Sequence, residues 1–230
     1  MNSIQLIETG DGSHSLLNVA MDETYHSRHG ALRESEHVFV RHGLHHWMEL
    51  HPAASAVRIL EVGFGTGLNA ILTLREARLR TDLAFRYTTL EPHPLAEETI
   101  NHLNYLELLN DAALNPYFAA LHQAPWEEDH ALLNNFVLRK TQTTLQDLPV
   151  VPHSHDLIYF DAFAPNKQPE LWTLPVLQRV ATLMAPGAVF VTYSAKGQLK
   201  RDLRALHLLV ETLEGPPGKA EMVRARKIND

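Results

Sequence analysis

Ile59-Leu60-Glu61-Val62-Gly63-Phe64-Gly65-Thr66-Gly67-Leu68-Asn69 is the stretch that decides the fold. An apolar run the length of a buried strand enters a glycine turn, and helical apolar spacing follows over 68–77. Glycine supplies positive φ and lacks a Cβ, so a ligand can touch backbone there, and the following helix start leaves N–H groups unpaired. A strand, turn and helix of this kind belong to a parallel sheet whose ligand lies beyond the carboxyl ends of its strands.

Outward from that turn the pattern repeats. Strands are expected at 57–62, 85–90, 136–141, 156–160, 188–193, 208–213 and 222–226, with helices at 68–77, 94–109, 170–184 and 197–207. This is an α/β chain with a mostly parallel sheet of up to seven strands. The turn Gly215-Pro216-Pro217-Gly218 joins the last two strands without a helix, so one strand runs antiparallel. The first 56 residues differ: a strand over 4–9, the turn Asp11-Gly12-Ser13, a mixed helical stretch over 16–29 and a strand at Val38-Phe39-Val40. We read 1–56 as an N-terminal lobe or lid and 57–230 as the main domain, with 52–56 as linker.

Composition bounds the chemistry. The 230 residues carry 45% hydrophobic side chains, 20 Lys and Arg against 27 Asp and Glu, 15 His and no Cys. That suits one sizeable core and excludes disulfides, thiolate metal sites and a cysteine nucleophile. Apolar runs of about six residues fall far short of the ~20 a membrane span needs, and no export signal opens the chain, so no membrane and a cytoplasmic location are expected. From Lys196 onward there are 8 Lys and Arg against 5 Asp and Glu, so a basic tail follows an acidic body. The histidines at 42, 45, 46 and 51, and at 153 and 155, lack the spacing of a metal motif, and no metal is expected.

The glycine turn departs from the dinucleotide fingerprint, because its third glycine arrives one residue early and Leu68 takes its place. Alternate glycines with Glu61 two residues ahead match the turn used for S-adenosylmethionine. Glu91 ends the next strand, where a carboxylate can accept both ribose hydroxyls. At the end of the 156–160 strand, Asp161-Ala162-Phe163-Ala164-Pro165 would open onto the same crevice. There a carboxylate can orient an amine, although Asp161 could also simply cap the turn with Phe163 and Trp172 as core.

These residues and others resemble one family, the methyltransferase part of the bifunctional tRNA 5-methylaminomethyl-2-thiouridine biosynthesis protein MnmC and its single-domain relatives. The resemblance rests on Asp11-Gly12-Ser13, Tyr25-His26-Ser27, Gly30-Ala31-Leu32, Glu34-Ser35, Val38-Phe39, the turn from Glu61 to Asn69, Asp161 to Pro165 with Lys167, Pro169 and Trp172, the segment Thr192-Tyr193-Ser194-Ala195-Lys196-Gly197, and Gly215 to Lys219 with Glu221-Met222. It implies a Rossmann-like S-adenosylmethionine-dependent methyltransferase fold. It also implies N-methylation of the aminomethyl group of 5-aminomethyl-2-thiouridine at the tRNA wobble position.

Carried over residue by residue, the cofactor contacts would be Glu61, Gly63, Phe64, Gly65, Gly67, Asn69 and Glu91. Thr143-Thr144 stand where relatives place an adenine-contacting acid, which leaves Gln146 or Asp147 for that contact. Asp161 would face the acceptor amine, with Tyr25, Phe163 and Trp172 near the base and Lys167, Lys196 and Lys219 as further substrate contacts. Lys200, Arg201, Arg204 and Arg224 extend the candidate phosphate-binding patch for the tRNA anticodon loop. With an ordinary aspartate pKa of about 3.9, Asp161 would act chiefly by orientation. The flavin-binding domain fused to the bifunctional relatives is not expected here. Two other functions compete: a small-molecule amine transferase of the aminopropyltransferase type, and a noncatalytic RNA-binding module retaining the cofactor fold.

Overall fold

The computed structural model describes residues 4–228. Three short strands, β1 (Ile4–Glu8), β2 (His14–Asn18) and β3 (Glu23–Thr24), form an antiparallel sheet of their own. A helical run follows as α1 (Ala31–Ser35), a π-type segment Glu36–His45 and α2 (His46–Leu50). The main body then alternates β4 (Ala56–Val62), α3 (Leu68–Leu79), β5 (Ala84–Leu90), α4 (Glu97–Ile100), α5 (Tyr105–Leu109), α6 (Asn115–Gln123), β6 (Asp129–Leu133), β7 (Phe136–Thr141), β8 (His155–Phe160), α7 (Leu174–Leu183), β9 (Met184–Thr192), α8 (Gly197–Ala205), β10 (Leu208–Glu214) and β11 (Glu221–Lys227).

The large sheet runs β10-β11-β9-β8-β4-β5-β7-β6. Pairs β4·β5, β4·β8, β5·β7 and β8·β9 are parallel, and β11 is antiparallel to both its neighbours. The expected sheet is therefore present, with one strand more. β6 pairs antiparallel with β7 at the edge, and its sequence Asp129-His130-Ala131-Leu132-Leu133 carries too little alternation to announce a strand. The Asn134-Asn135 pair between the two strands was the available hairpin signal.

Alternation along β4 sorts two cores. Val57 and Ile59 face the helical N-terminal run and α3, whereas Leu60 and Val62 pack with Leu177, Val180 and Phe190 on the other face. Each large apolar side chain so buried contributes about 1.5–3 kcal/mol against exposure. The same period puts Glu61 on the α3 side, fully buried.

Three local expectations need correction. Val38-Phe39-Val40 is helical, because a helix buried on every side shows the same unbroken apolar triplet as a strand; all three are at most 1% exposed. Residues 16–29 hold no helix: β2 pairs with β1 through Leu6↔Leu16, a long-range pairing that overrides local propensity. The helix expected over 94–109 breaks into α4 and α5, and at the break Asn104 is committed elsewhere. Its Oδ1 accepts from His14 N at 2.7 Å and its Nδ2 donates to Gly12 O at 2.9 Å, stapling the small sheet to the body.

Candidate active site

The carboxyl ends of the central strands open into a cavity of about 790 Å³. The turn after β4 brings Gly63, Phe64 and Gly65 to its wall, and the first turn of α3 brings Asn69. Glu91 arrives from the end of β5, Gln146 from the loop after β7, and Asp161 with Phe163 from the end of β8. Tyr25 descends from the segment after β3, and Lys219 from the loop joining β10 to β11. Residues up to 194 positions apart in sequence thus share one wall.

The turn itself is fixed by backbone. Gly63 N and Phe64 N both donate to Leu90 O, at 3.0 and 3.2 Å, and Asp161 N donates to Val62 O at 3.0 Å. Gly63 has φ +96°, and a Cβ there would stand 2.7 Å from Asp161 O, so the neighbouring strand end as well as φ demands glycine. Glu91 is anchored by the same turn: Oε2 accepts from Gly65 N at 3.0 Å and Oε1 from His93 N at 2.9 Å. Each carboxylate oxygen keeps a lone pair for a further donor, which is what a pair of ribose hydroxyls requires.

Asp161 is the chemically distinctive group. Asn69 Nδ2 donates to its Oδ2 at 2.8 Å. Burial pushes its pKa up to about 7 and the charge of Glu34 pushes the same way, against the Asn69 bond and Lys219. The assumption of an ordinary aspartate is therefore corrected: this carboxyl titrates near neutrality and is a far better base. Beneath the wall, Glu61 Oε2 accepts from Thr89 Oγ1 at 2.6 Å while Oε1 has no partner. Burial foremost pushes Glu61 up to about 8, with the Asp161 charge adding to it.

Two buried acceptors on the wall, Asn69 Oδ1 and Gln146 Oε1, have no hydrogen-bond partner within the chain. Buried acceptors normally find donors, so these suit N–H groups brought by a ligand, such as an adenine amino group and an α-ammonium. This set of acceptors fits an adenosyl-amino acid.

Several expected contacts lie off the wall. Glu61 is 0% exposed because strand alternation turns it under α3. Gly67 is buried at the start of α3, its N donating to Phe64 O at 2.8 Å. Asp147 is exposed and accepts from Thr144 Oγ1 at 2.7 Å. Trp172 packs edge-on against Phe160 at 4.9 Å and donates Nε1 to Phe163 O at 2.8 Å, which makes it a support for Phe163. Lys167 ties down the N-terminal lobe through Met21 O at 3.0 Å. Lys196 is exposed just ahead of α8, outside the cavity. In the basic patch, Lys200 is paired with Glu221 and Arg224 with Glu211, which leaves Lys196, Arg201 and Arg204 as its exposed basic positions.

Glu34 and Tyr193 are wall residues that carried no assigned role. Glu34, 4% exposed, accepts from Ser27 N at 2.7 Å and from Lys219 Nζ at 2.6 Å. The same Nζ lies 3.7 Å from the centroid of the Tyr193 ring. Both lie within segments that carried the family resemblance, but a lone acid beside a helix start and a tyrosine ending an apolar strand show no periodicity that marks a site. Among the described residues, no group of three or more His, Cys, Asp or Glu stands close enough to hold a metal, and no helix is long and apolar enough to cross a membrane.

Comparison with known proteins bears on this geometry. Residues 119–228 match the family described as S-adenosyl-L-methionine-dependent methyltransferase. The tRNA 5-methylaminomethyl-2-thiouridine biosynthesis bifunctional protein MnmC of Paraburkholderia xenovorans is 28% identical over 220 residues, covering 89% of this chain and 32% of that protein. Its counterpart in Burkholderia thailandensis is 30% identical over 213 residues, covering 87% and 32%. The chain thus spans about a third of the length of these curated relatives. Among solved structures, MnmC2 from Aquifex aeolicus superposes with a TM-score of 0.80 at 24% identity over 100% of this chain and 72% of that one. A spermidine synthase from Thermotoga maritima reaches 0.55 at 15% identity, covering 99% and 73%.

Proposed function

We propose that this chain, whose residues 119–228 match the S-adenosyl-L-methionine-dependent methyltransferase family and which resembles the MnmC methyltransferase part, methylates the aminomethyl nitrogen of 5-aminomethyl-2-thiouridine at the wobble position of tRNA. The observation that carries this reading is a carboxyl, Asp161, titrating at about 7 and facing the same cavity as the glycine turn.

The cofactor supplies, when bound, a methyl group on a positively charged sulfur. Glu91 would hold its ribose, the Gly63 to Gly65 backbone would line its path, Gln146 would accept from its adenine, and Asn69 Oδ1 from its amino-acid end. The acceptor, a primary amine with a pKa near ~10.4, must shed a proton before its nitrogen lone pair is free. Asp161 takes that proton and turns the lone pair toward the methyl. That freed nitrogen would then take the methyl from the bound cofactor, with sulfur keeping the electron pair of the C–S bond. Raising the base from about 3.9 to about 7 removes roughly three units of the proton-transfer mismatch, so Asp161 serves both as base and as aim.

An unpaired wobble base is presented on aromatic side chains in such recognition, and Phe163 with Tyr25 packed edge-on at 5.1 Å supplies that surface. Anticodon phosphates fall to the exposed Lys196, Arg201 and Arg204. A tritiated-methyl assay tests the reading: label should enter undermodified tRNA and not polyamines. Label in polyamines alone would move the chain to the small-molecule amine transferases.

A further inference from the structure

The contact between Glu34 and Lys219 does more than join two elements. Glu34 is nearly fully buried on the cavity wall, and its carboxylate is met by an ammonium at 2.6 Å that also rests over the face of Tyr193 at 3.7 Å. A carboxylate beside an aromatic face is the chemistry that recognises an alkylammonium. The acceptor named above carries such a group, and Asp161 senses both Glu34 and Lys219 through their charges. We propose that Glu34 and Tyr193 form the ammonium subsite for the acceptor amine, and that Lys219 fills this subsite until a phosphate draws its side chain out, so that the site opens only to amines carried on a polyanion. This rests on the amine-methylating reading and adds to it the residues that select the acceptor.

Charge exchange governs the subsite. A carboxylate as buried as Glu34 is costly to leave unpaired, so Lys219 can depart only if another cation arrives. The acceptor ammonium is that cation. Lys219 in turn needs a new anion, and a nucleic-acid acceptor brings one beside its amine, whereas a free amine does not. The loop permits the exchange. Its backbone is closed by Gly215 N to Ala220 O at 3.1 Å and Lys219 N to Pro216 O at 2.9 Å. The lysine side chain is 31% exposed against 6% for that of Glu34, so the ammonium has a path outward while the carboxylate does not.

The test compares undermodified tRNA with the free nucleoside 5-aminomethyl-2-thiouridine, which has the amine and no phosphate. Wild-type protein should use the nucleoside poorly. Lys219→Met should raise kcat/KM for the nucleoside about tenfold or more while lowering it for tRNA. A parallel fall on both acceptors, or an unchanged nucleoside rate, overturns the proposal. Tyr193→Phe should keep the subsite and Tyr193→Leu should raise KM with kcat largely retained; equal losses in the two variants contradict an aromatic contact. Should Lys219→Met fail to fold, dimethyl phosphate added to wild type at fixed ionic strength should stimulate nucleoside methylation several-fold, and no stimulation counts against the idea. If wild type methylates no tRNA at all, the functional reading falls separately. The subsite is then read by nucleoside binding alone, with about tenfold tighter binding to Lys219→Met supporting it and equal binding overturning it.

Discussion

Asn69 Nδ2 donates to Asp161 Oδ2 across 2.8 Å, so the first turn of α3 holds the carboxylate that ends β8. The two residues come from the first turn of α3 and from the end of β8, 92 positions apart, and their bond ties together two parts of the cavity wall. Asn69 Oδ1 is buried and accepts no hydrogen bond from within the chain.

Asn69→Ala removes a bond that holds the Asp161 pKa down. The acidic limb of the kcat profile should move to higher pH, and kcat at pH 7 should fall about tenfold or more. A profile with an unmoved midpoint would show that Asn69 does not act through Asp161.

Glu61 gives a pH-dependent stability. Folded Glu61 is pushed up to about 8 against 4.5 for its ordinary value, so between these the folded state binds the extra proton and stability is lost as pH rises, by roughly 5 kcal/mol in all. His26, His122 and His155, pushed down by burial to about 4 from 6.5, act oppositely, their contribution being lost as pH falls through that window. Stability should therefore peak between about 6 and 7. Glu61→Gln should gain thermal stability relative to wild type progressively from pH 6 to about 8.5; melting curves offset equally at every pH would refute the assignment.

Gly63→Ala meets both a φ of +96° and the Asp161 carbonyl at 2.7 Å. Strain of about 1–3 kcal/mol should lower the melting temperature, and relaxation at the Asp161 end should weaken cofactor binding in calorimetry. Unchanged affinity together with unchanged stability would mean that the turn tolerates a Cβ.

Trp172→Phe deletes the Nε1 bond to Phe163 O while keeping most of the packing against Phe160. Unfolding free energy should drop by about 1 kcal/mol. KM for tRNA should rise modestly because Phe163 loses its tether, with cofactor affinity intact. A large loss of cofactor binding would place this tryptophan in the other half of the cavity.

Much of the architecture was legible because buried parallel strands between turn signals write themselves as short apolar runs. β4, β5, β7 and β8 lie within a residue of their expected bounds. Gly63, Glu91 and Asp161 were legible for a related reason, since strand ends of an open α/β sheet point to one crevice. What stayed hidden depends on three-dimensional neighbours. Glu61 looked like a contact because chain proximity to the turn says nothing of which face a strand residue takes. Trp172 looked like a platform because the sequence does not reveal that its indole is committed to Phe163 O. The near-neutral titration of Asp161 arises from burial and from Glu34, 127 residues away, and no local pattern encodes it.

The most direct measurement is mass spectrometry of nucleosides from undermodified tRNA incubated with the purified protein and S-adenosyl-L-methionine, alongside the Asp161→Ala variant. The account predicts a single-methyl gain on 5-aminomethyl-2-thiouridine with wild type, lost with Asp161→Ala although that variant still binds the cofactor within a few-fold. A wild-type protein that binds the cofactor and leaves that nucleoside unchanged, or a variant that methylates it undiminished, would contradict it.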